Sequence, residues 1–92
     1  MTLIERSIQL LKVGWCKGAF ARDADGRPVN YMSGKACSWC LSGAIRRAAQ
    51  EAGADSQQTW IDTYQSLSEM PSRWNDSRST VDEVITFLRS LE

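Results

Sequence analysis

The sequence predicts a mainly α-helical fold: one small domain of about four helices, with a short β-hairpin or tight loop between the first and second. Three observations carry this expectation. Apolar residues recur at helical spacing in four segments. Thr2/Glu5 and Thr80/Glu83 each have the spacing of a capping box, and an Asp25-Gly26 turn signal falls between the first two helical patterns. The 92 residues are expected to form one domain over 1–92, because a chain of this size buries only about 64% of its unfolded surface and leaves no room for a second core.

The first helix opens at Thr2, carries Ile4, Ile8, Leu11 and Trp15 on one stripe, and ends or loosens at Gly14. Leu3, Leu10 and Val13 lie off that stripe, so the helix is apolar on more than one side and is expected to sit centrally. From Gly18 to Tyr31 the Asp-Gly dipeptide predicts a hairpin or tight turn, with Pro28 confining its second strand to an edge. Ser33 or Gly34 then caps a helix from about Lys35 to Ala52, which Gly53 closes in the left-handed conformation. Its inner face is Cys37, Cys40, Leu41, Ala44, Ile45 and Ala48; Trp39 projects to the opposite side, covered by another segment or presented to a partner. A third helix spans about Ser56 to Glu69, with Trp60, Tyr64 and Leu67 on one stripe. Pro71 stops it, and Pro71 to Ser79 is expected to be an ordered loop anchored by Trp74. Thr80 launches the last helix, with Val81, Val84, Ile85, Leu88 and Leu91 facing inward.

Composition narrows function by exclusion. There is no histidine, so imidazole general-base and metal-ligand chemistry is absent and a non-enzymatic role is expected. Eleven basic residues balance eleven acidic ones, which makes nucleic acid an improbable partner unless Arg46, Arg47, Arg73 and Arg78 converge on one face. No apolar run approaches the roughly 20 residues that cross a bilayer, and no signal sequence opens the chain. Three cysteines, an odd number, suit a reducing compartment better than a disulfide scaffold, so a cytoplasmic protein is expected.

Cys37-Ser-Trp-Cys40 has the C-x-x-C spacing of a redox pair or half a zinc site. Zinc would need Cys16, Cys37, Cys40 and a fourth ligand such as Asp76, and a metal- or small-ligand-binding domain built on these is the alternative function. The favoured reading treats Cys37 and Cys40 as small buried hydrophobes, with no metal and no cofactor. Arg22-Asp23-Ala24-Asp25-Gly26 is better explained by turn chemistry than by calcium, since Met32 stands where an EF-hand needs its final acid. Trp74-Asn75-Asp76 joins an aromatic to two polar side chains, and Trp39, Arg46 and Gln50 form a stripe on the second helix. These six residues are the expected partner-binding set, and a homodimer is one form such a surface could take.

Three blocks, GWCKGAFARDADGRPV (14–29), CSWCLSGAI (37–45) and WNDSRSTVDEV (74–84), resemble a family of small bacterial and phage proteins of unknown function. The matching positions are Trp15, Gly18, Ala19, Ala21, Arg22, Asp23, Asp25 and Gly26 in the first block. In the second they are Trp39, Cys40, Gly43 and Ala44, and in the third Trp74, Asn75, Asp76, Thr80 and Glu83. The resemblance implies a shared site or scaffold at these positions and brings no activity, substrate or cofactor. It departs at Ser79, where such proteins tend to carry an arginine; here Arg78 stands one residue earlier. The resemblance adds the expectation that this protein-interaction module is an accessory or inhibitory factor of a phage or mobile element that binds a host protein.

Overall fold

The Thr2 hydroxyl accepts the Glu5 N–H at 3.1 Å and opens α1 (Leu3–Val13) in the computed structural model, which describes residues 2–53 and 57–92. Ser7, Ile8, Leu10 and Leu11 of α1 are buried, so the helix is covered on more than one side, although Val13 at its end is exposed. Gly14 leads the chain out in extended geometry, and the backbone then enters a small sheet.

β1 (Ala21–Arg22) pairs antiparallel with β2 (Pro28–Val29), placing Ala21 opposite Val29 and Pro28 on an edge as its missing donor requires. The turn between them rests on Asp23, whose Oδ1 accepts the N–H groups of Asp25 and Arg27, both at 2.9 Å. Arg22 clamps the loop by donating to the Lys17 and Gly26 carbonyls. The carboxylate-rich loop is therefore closed by the Asp23 and Arg22 side chains bonding to local backbone.

The free edge of β1 is taken by β3 (Ser38–Trp39), giving the order β2-β1-β3. This corrects the expected second helix, which was to begin near Lys35: α2 runs Leu41–Ala52. Backbone demand explains the difference. The N–H groups of Cys37, Trp39 and Cys40 donate to the carbonyls of Arg22, Gly14 and Phe20 at 2.9, 3.0 and 3.2 Å, which leaves none of them for a helix. Cys40 caps α2, its Sγ accepting the Gly43 N–H at 3.3 Å, and Gly53 ends it with φ +64. Cys37, expected on the inner face, is exposed in the preceding loop, while Cys40 is buried.

α3 spans Gln57–Leu67; its expected start at Ser56 and the Trp60 side chain lie outside the described residues. Pro71 to Ser79 is not a loop, because Pro71 occupies the first turn of α4 (Pro71–Ser77). A proline there loses no helical hydrogen bond and has φ already set. Arg78 to Thr80 leads into α5 (Val81–Arg89), where the Glu83 carboxylate reaches back to the N–H groups of Ser79 and Thr80 at 2.8 and 3.3 Å. These donors hold the Glu83 carboxyl below its usual range.

One hydrophobic cluster joins these elements. Ile8, Leu10 and Leu11 of α1 meet Leu41, Ala44, Ile45 and Ala48 of α2 and Val84, Ile85 and Leu88 of α5, with Ala21 and Trp39 entering from the sheet. The architecture is thus mainly α, with five helices and a three-stranded sheet among the described residues.

Candidate functional site

The loop before β1, the edge strand β2, the cap of α2 and the outer side of α4 enclose a cleft of about 570 Å³. Gly18, Ala19, Phe20, Pro28, Val29, Cys40, Ser72 and Asp76 line it. The volume falls within the roughly 300–1,000 Å³ range of small-ligand sites.

Asn75 makes this convergence possible. Its side chain is fully buried, and all four of its hydrogen-bonding positions are used. Oδ1 accepts the Trp15 indole N–H at 2.7 Å and the Leu41 N–H at 3.1 Å, while Nδ2 donates to the Cys16 carbonyl and to Asp76 Oδ1, both at 3.1 Å. A single residue of α4 therefore ties the segment after α1 to the first turn of α2. Asp76, next in the chain, accepts the Gly18 N–H at 3.1 Å on the same Oδ1. Gly18 adopts φ +76, which directs its N–H to that carboxylate without strain.

Beyond Phe20 lies a second hollow of about 380 Å³, lined by Phe20, Ser42, Arg46, Tyr64, Met70, Pro71 and Ser72. Phe20 and Ser72 belong to both hollows, so the two form neighbouring parts of one face. Phe20, Tyr64 and Met70 are 46%, 47% and 55% exposed, unusually open for large apolar side chains gathered at one place. The Arg46 guanidinium stacks 5.2 Å from the Phe20 ring centroid, and Phe20 meets Tyr31 edge-on at 6.2 Å.

Against this geometry the expected partner-binding set divides. Trp39 is a correction: only 4% exposed, it lies in β3, with its indole N–H donating to the Tyr31 carbonyl at 3.1 Å and Arg47 5.6 Å above its ring. Gly43 has no Cβ to collide with the Phe20 carbonyl, which lets the segment entering β1 pack directly on α2. Asn75 is likewise structural, its polar atoms all occupied in the interior. Trp74 is half-buried against Phe87, with ring centroids 5.0 Å apart, and Arg78 covers its face at 5.2 Å. Arg46 and Asp76 do reach the candidate face, in the second hollow and the cleft respectively. Gln50 is exposed further along α2 and lines neither.

The set proposed as metal ligands is used otherwise. Cys16 donates to the Ala19 carbonyl and Cys37 to that of Arg22, while Cys40 serves as the α2 cap. Among the described residues no three cysteine, aspartate or glutamate side chains assemble into a group that could hold a metal ion. Burial pushes the Cys16 and Cys40 thiols up, which disfavours the nucleophilic thiolate at neutral pH.

Phe20, Met70 and Ser72 carry no expected role in the sequence, and Tyr64, expected on the apolar stripe of the third helix, is instead exposed on this face. The available signal was weak: an aromatic after Gly18-Ala19, and a methionine at the Pro71 junction in an otherwise polar stretch.

Fold and site together define a small, mainly α domain whose exposed apolar face adjoins an acid-bearing cleft. The chain belongs to a family of unknown function, DUF6197, whose family model matches residues 2–92. No curated protein and no solved structure matches it. No described helix is long and apolar enough to cross a membrane.

Proposed function

We propose that the chain is a non-enzymatic protein-interaction module and that it docks a segment of a partner protein across the face formed by Phe20, Arg46, Tyr64, Met70 and the adjoining cleft. The observation that carries the reading is the half-exposure of Phe20, Tyr64 and Met70 around one hollow. Aromatic and methionine side chains beside an arginine are the residue types enriched at the centres of protein interfaces. Asp76 in the cleft and Arg46 in the second hollow offer opposite charges on either side of Phe20, which suits a polypeptide segment with polar groups of both signs. The lack of histidine supports binding over imidazole-assisted catalysis. The odd cysteine count supports a reducing, cytoplasmic setting.

The test is site-specific photo-cross-linking in host cells, with a benzophenone amino acid replacing Met70 or, as control, the exposed Gln9 of α1. The expected result is one adduct with a different protein from Met70 and none from Gln9, abolished when Phe20→Ser is added to a chain that still melts cooperatively. An adduct of twice the chain's mass would instead make the face a homodimer interface. Equal labelling from both positions would overturn the reading.

A further inference from the structure

We propose that the cleft receives a basic side chain, lysine or arginine, of the docked partner segment and that Asp76 Oδ2 is its counter-ion. This deepens the protein-interaction reading and rests on it for the identity of the occupant. Among the described residues that line the cleft, Asp76 is the one carboxylate, and none is a lysine or arginine.

Its two oxygens are not equivalent. Oδ1 is fixed by the Gly18 N–H and by Asn75 Nδ2, and Asn75 is itself locked in the interior. Oδ2 accepts no hydrogen bond from the described residues, and Asp76 forms no ion pair with any of them. The neighbouring cations have other partners: Lys17 lies 5.2 Å over the Trp15 ring, and the Arg22 guanidinium, beside Gly18, donates to the Lys17 and Gly26 carbonyls. A carboxylate oriented in advance of binding loses little side-chain freedom when a cation arrives.

The walls supply the other half of the recognition. Ala19, Phe20, Pro28 and Val29 present apolar surface leading to the acid. Lysine and arginine combine an apolar stem with a charged tip, so the stem would lie along these walls while the tip reaches Oδ2. The Ser72 hydroxyl, also on the wall, offers an acceptor for a second N–H of the same group.

The probe is capped lysine, Nα-acetyl-lysine methylamide, titrated into the 15N-labelled full chain and followed by amide shifts. Saturable shifts are expected at Gly18, Ala19 and Asp76, with Nα-acetyl-norleucine methylamide, the same stem without charge, binding at least 10-fold more weakly. Asp76→Asn keeps an acceptor for Gly18 and Asn75 and is expected to weaken capped lysine at least 10-fold with unchanged melting. Equal binding of the neutral analogue, or shifts confined to other residues, would overturn the proposal on the wild-type chain alone. n-Pentylamine binding more tightly than capped lysine would make the occupant a small amine and overturn the assignment to a protein. The two readings separate: cross-linking from Met70 without lysine binding leaves the interaction module and removes the lysine site, whereas lysine binding without cross-linking removes the docking face.

Discussion

Asn75 Oδ1 sits 2.7 Å from the Trp15 indole nitrogen, and that hydrogen bond joins α4 to the segment leaving α1 across 60 positions of sequence. The same oxygen accepts the Leu41 N–H, one of the orphan donors at the start of α2. Asn75→Ala would leave these two buried donors and the Cys16 carbonyl without their partner. The expected loss is about 3 kcal/mol or more in urea unfolding, since each unsatisfied buried group costs roughly 1–3 kcal/mol. Asn75→Asp keeps both acceptor contacts but sets a carboxylate oxygen against the Cys16 carbonyl and Asp76, so it should also be destabilised. A neutral result for both variants would remove Asn75 as the organiser of the cleft.

Trp39 provides the second prediction. A tryptophan presented to solvent could be cut to alanine with no change in melting. Because Trp39 is a buried member of the core in β3, Trp39→Ala should cost about 3–5 kcal/mol, as large aromatic truncations in cores do. Trp39→Phe keeps much of the packing and loses the indole bond to Tyr31, for about 1 kcal/mol. Chemical denaturation of the pair measures both, and the folded Phe variant should cross-link its partner as the parent does.

The misplacement of Trp39 shows where sequence was legible. The ends of α1 and α5 were readable because Thr2 with Glu5, and Thr80 with Glu83, act within a single turn. The hairpin was readable because Asp23, Asp25 and Gly26 satisfy one another locally. β3 was not, since the spacing from Cys37 to Ile45 fits a helix, and what excludes it is backbone bonding to Gly14, Phe20 and Arg22, distant in sequence. Pro71 was read as a stop, although the same residue is equally suited to start α4. Asp76 was legible as a polar neighbour of Trp74, whereas Arg46 was named only as a continuation of the Trp39 stripe, a helical phase that β3 removes. The exposure of Phe20, Tyr64 and Met70 was not legible, because it depends on which neighbours fail to cover an apolar residue.

Acid should weaken the tie between α1 and α2. Glu51 accepts Arg6 Nε at 2.7 Å and Arg47 Nε at 3.0 Å, and these guanidinium groups, Arg6 foremost, draw its carboxyl down to about 2 from 4.5. A folded-state value below the unfolded one means the stabilisation is present above about pH 4.5 and is lost as pH falls towards about 2. The group is solvent-exposed, so screening limits the effect to about 1 kcal/mol or less. Urea midpoints of the parent and Glu51→Gln should therefore converge as pH drops through this window. Parallel curves would show that the Arg6–Glu51–Arg47 cluster contributes nothing to stability.

Gly43 and Gly53 offer a paired test of close approach against backbone conformation. In the middle of a helix, glycine to alanine normally stabilises by about 1 kcal/mol. At Gly43 a Cβ would collide with the Phe20 carbonyl, which is backbone and cannot turn aside, so Gly43→Ala is expected to destabilise by about 1–3 kcal/mol. At Gly53 a Cβ meets nothing within 4 Å, but φ is +64, so Gly53→Ala should cost about 1 kcal/mol through conformation alone. The functional consequences should differ too. Displacing Phe20 changes the wall shared by both hollows, so Gly43→Ala should reduce Met70 cross-linking even where the chain remains folded, whereas Gly53→Ala should leave it intact. Equal cross-linking by the two folded variants would separate the Phe20 wall from partner binding.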